Sequence, residues 1–385
     1  MVLPQSLTRD TMTPTECPKS PQTPGVSIIV PAHNEEAGII PAVDALRNLR
    51  YPVVRIIIVD DGSTDATFQL LHDHLGLTRA FPRLTATPTN AGSIGDIWAT
   101  SNGEVTVIRK ESTGRRSDAI NAGLRAADQE LICMIDADSL LEPDALLYVV
   151  EPLIADPTLV GVGGIVRPSN GARVEHGAVV DVQAPRTWLE SIQALEYLRA
   201  FLIGRTGWSA VNGLLIISGA FGLFRRSAIS AVGGLDPHTL AEDADLVIAI
   251  HRHYRDQKKD ARVAFVPTPV CWTEVPGSLR TLARQRARWS HGLGELLHKH
   301  RKMLGNPRYG AVGTLAMPYF LLFEYLGPLI GGADSTGGRN EFCELLRWCQ
   351  IAERFAWSSV ERVLDRGQLS AGDDAQIGAL RQVLA

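Results

Sequence analysis

The run Ile132-Cys133-Met134-Ile135 stops at two carboxylates one residue apart, Asp136 and Asp138, followed by Ser139. Such a run reads as a strand of a parallel sheet buried on both faces. Open α/β sheets bind ligands beyond the carboxyl ends of their strands, which is where this pair stands. Alternation along an extended chain turns both side chains to the same side. Two like charges in one mouth are costly without a cation or a proton, and a divalent metal carrying a diphosphate meets that need. The competing reading is a structural turn, since a lone DxD is a short pattern with frequent chance matches.

Around that run the chain has room for a large α/β core with additions: 385 residues, 45% of them hydrophobic, and 35 glycines. A net charge of only -4 gives no global field for nucleic acid, which is excluded as a partner, although basic residues cluster between Arg280 and Arg301. The five cysteines (Cys17, Cys133, Cys271, Cys343 and Cys349) are odd in number and lack metal spacing. With no signal peptide at the start, a reducing, cytosolic setting is expected for the catalytic part. Cys133, inside the strand, is expected to be a small core residue.

Residues 1–25, rich in Pro, Ser and Thr and without an apolar period, read as a disordered leader. The fold proper is expected over 26–305. It starts with the β-branched strand 26–30, broken by Pro31 into the loop Ala32-His33-Asn34-Glu35-Glu36, and a helix over 39–49 follows. A second strand, 54–59, ends in Asp60-Asp61-Gly62-Ser63-Thr64-Asp65, and a helix over 68–75 follows with Ser63, Thr64 or Asp65 as its cap. Two successive βα units predict a doubly wound, mostly parallel sheet. Further expectations are a strand at 105–108, a basic turn and helix over 114–127, a helix over 143–154, a glycine-rich strand at 160–166 and a helix over 188–203. An apolar stretch at 214–223, a helix running from about Glu242 to His253, short strands at 264–266 and 270–272, and a long basic helix over 279–300 complete this region.

Only 311–330 approaches the roughly 20 residues of a membrane span. Pro318, Glu324 and Pro328 interrupt it, so an interfacial or re-entrant segment competes with a true span. The segment 306–332 is therefore expected to be membrane-associated. The tail 333–385 is polar, with an amphipathic helix over 341–364.

Taken singly, the other polar groups leave alternatives open. Asp60, level with the loop of Asn34 and Glu35, could accept the N3 proton of a uracil ring, or belong to a capping cluster. Glu242 and Asp243 open a helix after Gly233-Gly234, where a carboxylate is stabilised by the helix dipole and capping suffices as an account. Gln285, Arg286, Arg288 and Trp289 are either a solvated basic face or a diphosphate and sugar contact.

The motifs in order are Pro31-Ala32-His33-Asn34-Glu35, Val59-Asp60-Asp61-Gly62-Ser63-Thr64-Asp65, Asp136-Ala137-Asp138, Gly233-Gly234, Glu242-Asp243 and Gln285-Arg286-Ala287-Arg288-Trp289. This set resembles the processive family 2 inverting glycosyltransferases, which include cellulose, chitin and hyaluronan synthases. It looks most like the bacterial poly-N-acetylglucosamine synthases. The resemblance covers about 26–332.

It implies a GT-A fold with a membrane-associated helical extension, a UDP-sugar donor, Mg2+ or Mn2+, a glycan or lipid acceptor, and a location at the cytoplasmic face of the bacterial inner membrane. Pro31, Asn34, Glu35, Asp60, Arg116, Asp136, Gln285 and Arg288 would bind the donor, with Asp60 and Asp136 on the uridine and Gln285 and Arg288 on the departing diphosphate. Asp138 would hold the metal. Asp243 would be the general base, with Trp289 and Glu242 on the acceptor. Two features depart from the family pattern. Arg116 replaces the lysine usual ahead of Ala119-Ile120-Asn121, and the several membrane helices of relatives shrink to one such stretch. Alternatives are a non-processive transferase to a lipid or small acceptor, and an accessory subunit that needs a membrane partner. A nucleotidyltransferase explains neither Asp243 nor Arg288-Trp289.

Overall fold

A computed structural model describes residues 23–85, 92–175, 177–182, 185 and 187–327. The first half alternates strand and helix: β1 Val26–Ala32, α1 Ile39–Arg47, β2 Val54–Asp61, α2 Thr67–Leu75, β3 Thr78–Arg79, β4 Ile94–Ala99, β5 Val105–Lys110, α3 Arg116–Ala126 and β6 Leu131–Ile135. The second half adds β7 Leu140–Leu141, α4 Ala145–Ala155, β8 Leu159–Pro168, the small hairpin β9 Arg173–Glu175 and β10 Ala178–Asp181, α5 Trp188–Leu198, α6 Thr206–Ala210, β11 Phe221–Arg225 and α7 Arg226–Ala231. It closes with α8 Glu242–Asp256, β12 Arg262–Thr273 and α9 Leu279–Lys299.

Ten strands form one sheet in the order β3-β4-β5-β2-β1-β6-β11-β8-β12-β7. The expected βα units are present, and β5, β2, β1, β6, β8 and β12 run the same way. The sheet is mixed, because β11 lies antiparallel between β6 and β8, β4 is antiparallel to both β3 and β5, and the edge strand β7 is antiparallel to β12. The core is Val, Ile and Leu from both sheet faces and the helices on them. Helix α3 sits so close to β1 that a Cβ on Gly123 would lie 2.5 Å from Ile29 Cγ2, so glycine is what permits that packing.

Several boundaries differ from the pattern-based expectation. Strand β1 continues through Pro31 to Ala32, paired with β2. Its pairing with β6 ends at Ile29, so the ring's missing N–H interrupts little. The two short strands at 264–266 and 270–272 are one strand, β12, with register shifts around Pro269. The helix expected over 188–203 is α5 followed by a π-helical turn, Arg199–Arg205. The apolar stretch at 214–223 becomes a strand only from Phe221. No helix among the described residues is long and apolar enough to cross a membrane. The part of 311–330 that is described is a chain of π and α turns, Val312–Ala316, Met317–Tyr319 and Phe320–Tyr325. Most of the leader, residues 328–332 and the tail with its expected amphipathic helix and Cys343 and Cys349 lie outside the described residues.

Helix α9 places the end of the fold against the site. A Cβ on Gly292 would stand 2.8 Å from Ala241 Cβ, immediately before α8. Glu295 accepts the Leu240 N–H at 3.0 Å, while Lys299 and His300 each reach Asp245 at 2.8 Å. Replacing Gly292 with Val forces these helices apart. The expected loss is about 1–3 kcal/mol of stability, read as a lower urea midpoint.

Candidate active site

The loops after β1 and β2 are joined into one wall. The Asn34 N–H donates to Ser63 Oγ at 3.0 Å, Asn34 Oδ1 accepts the Thr64 N–H at 2.8 Å, and the Glu35 N–H donates to Thr67 Oγ1 at 2.8 Å. Asn34 holds φ at 57°, a left-handed conformation that asparagine tolerates better than most residues. Asp65 accepts both the N–H and the hydroxyl of Thr67, so its role as a helix cap is seen one residue outside the formal cap position. Asp60 is fully buried. Its Oδ1 accepts the Ser63 N–H at 3.0 Å and its Oδ2 the Arg109 Nε–H at 3.2 Å, so it serves the turn as the capping account expects.

Beside Asp60 lies a buried cluster that sequence reasoning did not single out. Lys110 Nζ bonds Asp61 at 2.6 Å and Asp118 at 2.7 Å, tying β2, β5 and α3 together. Burial alone would lower this ammonium, but the hydrogen bonds and charges of Asp118 and Asp61 overcome it and raise it above the usual lysine range. The signal was present in principle, since an apolar strand that ends in lysine one register step from an aspartate invites such a pair.

Arg116 is the centre of the site. From the first turn of α3 its Nε donates to Asp136 at 2.7 Å, Nη1 to Glu242 at 3.2 Å and Nη2 to the Gly219 carbonyl at 2.7 Å. One guanidinium thus joins α3, the end of β6, the stretch before β11 and the start of α8. Arg116 and Asp243 also line a small cavity with Met134, Ile217, Gly219 and Phe224.

Asp243 stands next to Glu242 in the first turn of α8, and its Oδ1 accepts the Ala244 N–H at 2.8 Å. No side chain caps α8 at Ala241; Asp243 meets a first-turn N–H, whereas Glu242 is engaged with Arg116 and not with the helix end. Burial, and then the Glu242 charge, push Asp243 up to about 6, against the lowering pull of its N–H bond, Arg116 and Arg205. Asp138 is open to solvent at the cleft mouth, yet the surrounding wall and the Asp136 charge push it up to about 6. Glu35 is raised by burial and then by Asp138 and Asp136, which places it beside the same mouth.

The structure therefore brings Glu35, Asp136, Asp138, Arg116, Glu242 and Asp243 together at one end of the sheet. Pro31 lies in β1 next to this wall. Gln285, Arg288 and Trp289 lie within the first half of α9. Among the described residues, the side chains of Gln285 and Arg288 form no hydrogen bond or ion pair, and Trp289 is 42% exposed. The tie from this motif toward the cleft is Arg286, which forms a two-point ion pair with Glu196 of α5 at 2.8 and 2.5 Å and lies 4.6 Å over the Trp289 ring.

No group of three or more His, Cys, Asp or Glu side chains able to hold a metal occurs among the described residues. Asp138, raised by its surroundings and by the Asp136 charge, offers hard carboxylate oxygens beside a second carboxylate, which fits Mg2+ or Mn2+.

A family model described as "Glycosyl transferase family 2" matches residues 27–233, more than half of the chain. The chain belongs to glycosyl transferase family 2. A second model, "Glycosyl transferase family group 2", matches residues 131–343. This family 2 glycosyltransferase is 27% identical over 278 residues to a poly-beta-1,6-N-acetyl-D-glucosamine synthase of Staphylococcus epidermidis, covering 72% of this chain and 56% of that protein. It is 27% identical over 306 residues to a synthase of the same name from Staphylococcus aureus, covering 78% of this chain and 61% of the relative. The chain thus spans somewhat over half the length of these relatives. Among solved structures, the mannosyltransferase PcManGT from Pyrobaculum calidifontis, in complex with GDP-Man and Mn2+, matches with a TM-score of 0.54 at 20% identity, covering 89% of this chain and 85% of that one. That likeness shows the GT-A fold.

Proposed function

We propose that this family 2 enzyme transfers N-acetylglucosamine from UDP-N-acetylglucosamine to a glycan by a single inverting displacement. The observation that carries the reading is the Arg116 bridge, which joins Asp136 after β6 to Glu242 and so to the half-buried Asp243 beside it. Donor and base chemistry then share one cleft. The relatives' names favour N-acetylglucosamine as the sugar.

In this reading Asp60 and Asp136 hold the uridine, with Pro31, Asn34 and Glu35 forming the wall, and Asp60 uses lone pairs left over from Ser63 and Arg109. Asp138 would hold Mg2+ or Mn2+, which would neutralise charge on the leaving diphosphate. Arg116 orients Asp136 and Glu242. Asp243, ionised, takes the proton of the acceptor hydroxyl as its oxygen bonds to the anomeric carbon. Gln285 and Arg288 bind the departing diphosphate once α9 faces a ligand, and Trp289 offers its exposed face to the acceptor sugar. The protein works at the cytoplasmic face of a membrane, with a membrane partner. The exposed Leu315, Leu322 and Phe323 next to α9 support that placement.

A melting panel of UDP-sugars with and without Mn2+ tests the donor assignment. UDP-N-acetylglucosamine with Mn2+ is expected to give the largest rise in melting temperature, and Asp138→Asn to lose the metal-dependent part of it. Equal shifts with all UDP-sugars, or a shift indifferent to both Mn2+ and Asp138, overturn it.

A further inference from the structure

The small cavity that Arg116 and Asp243 share has Ser218 and Gly219 as its other polar lining, and the rest of its wall is apolar, Phe224 and Leu235 included. It has room for about one water molecule. Gly219 leaves the space beside the base open. A Cβ on it would lie 3.5 Å from Asp243 Oδ2 and 3.7 Å from both Cζ and Nη1 of Arg116. These are ordinary contact distances, and the chain neighbours of Gly219 apart, no atom comes closer. A point next to both the carboxylate and the guanidinium is therefore free to hold an atom.

The polar side chains around this space have hydrogen-bonding capacity left over. Asp243 Oδ1 accepts the Ala244 N–H, while Oδ2, among the described residues, accepts nothing. Arg116 places one N–H each on Asp136, Glu242 and the Gly219 carbonyl, which leaves guanidinium N–H groups over and makes no direct bond to Asp243. The Ser218 hydroxyl forms no hydrogen bond among the described residues, although its carbonyl accepts the Phe221 N–H at 3.1 Å. A purely apolar cavity of this size stays dry. One that borders a carboxylate oxygen, a charged donor and a hydroxyl supplies the partners that an internal water needs.

We propose that this cavity binds one ordered water, which donates a hydrogen bond to Asp243 Oδ2 and accepts one from Arg116, with the Ser218 hydroxyl as its third partner. The inference rests on the reading of Asp243 as the base. The water completes a contact that the two side chains do not make directly. With the Ala244 N–H on Oδ1 and the water on Oδ2, the carboxylate is held at both oxygens and cannot rotate freely about its Cβ–Cγ bond. Lone pairs turned away from the cavity remain for the acceptor hydroxyl. A donor to the ionised form also favours that form. The water thus opposes burial and the Glu242 charge from α8 itself, and works in the same direction as Arg116 of α3 and Arg205 of the π-helical turn Arg199–Arg205. Gly219 is in this account a positioning residue, acting on the base through the water that its missing side chain admits.

Gly219→Ala fills the space with a methyl group. Gly219 has no positive φ, and the added carbon meets its neighbours at contact distance, so the fold accepts the change. The full chain is assayed across pH with UDP-N-acetylglucosamine, Mn2+ and a short β-1,6-linked N-acetylglucosamine oligosaccharide as acceptor. The acid limb of kcat is expected to move up by about one pH unit, with turnover about fivefold lower at pH 6 and the deficit shrinking as pH rises. Acceptor KM and donor affinity by calorimetry should stay within about twofold of wild type. Ser218→Ala, which removes a single partner of the water, should move the limb the same way by less. A high-resolution crystal structure of the wild-type protein should show the water within about 3.2 Å of Asp243 Oδ2 and of an Arg116 nitrogen, and that of Gly219→Ala should lack it. An empty cavity in the wild-type crystal, or a limb that Gly219→Ala leaves in place, overturns the proposal. A raised acceptor KM with the limb unmoved gives the space to the acceptor and also overturns it. So does a loss of donor affinity, which means that Gly219 acts through its carbonyl on Arg116. Wild-type protein that makes no product from this donor and acceptor refutes the function proposed above, while the crystal still decides whether the water is bound.

Discussion

Asp243→Asn is expected to lower kcat by about 10²–10⁴-fold while UDP-N-acetylglucosamine affinity with Mn2+ stays within about twofold. The amide keeps the shape of the side chain and can still meet the Ala244 N–H through its oxygen, but it cannot take a proton. The wild-type pH profile carries the same assignment. Burial and the Glu242 charge push Asp243 up to about 6, with Arg116 and Arg205 opposing, so the base is protonated and idle below that value. Transfer should rise as pH rises through about 6 and level off above it. The sign for stability is opposite. A carboxyl whose folded value exceeds its unfolded one binds more protons when folded, so the fold loses stability as pH rises from the ordinary carboxylate range through about 6. Asp243→Asn removes that share of the slope, visible as urea unfolding that depends less on pH. Turnover within about threefold of wild type would sink the base assignment.

The parts of the molecule governed by short-range pattern were legible in the sequence. Apolar, β-branched runs gave β1, β2 and β6, the last two leading into aspartates, and the periodic Ile39, Ala42, Val43 and Leu46 gave α1. What failed depended on distant partners. Strand β4, Ile94–Ala99, has only intermediate or exposed positions, so its pairing with β5 left no apolar run to find. Strand β12 passes through Pro267 and Pro269 because the pairing with β8 absorbs the register shifts there. The site shows the same division. Asp136, Asp138, Glu242 and Asp243 announce themselves as carboxylates at element ends, whereas Arg116 was noted only as a substitute cation. Its partners sit 20, 126 and 103 residues away in sequence.

Arg116→Met is expected to abolish transfer and to unsettle the fold together. Removing the guanidinium leaves Asp136, Glu242 and Asp243 without their shared cation and strands the Gly219 carbonyl, which accepts Nη2 at 2.7 Å. Breaking a partly buried pair by deleting one partner costs about 3–5 kcal/mol, because the remaining charges stay where water reaches them poorly. Protons can substitute for the lost cation, so the deficit should be largest near pH 8 and smaller near pH 5. Donor affinity should fall as well, since Asp136 loses the contact that orients it. Arg116→Lys restores the charge but brings one nitrogen to three acceptors spread over three elements, so stability should recover more than kcat does. A Met variant that binds donor normally and melts within about 2 °C of wild type at both pH values would show that the carboxylates do not depend on this bridge. The same result would separate the two halves of the cleft, for Arg116 bonds both Asp136 after β6 and Glu242 at the start of α8.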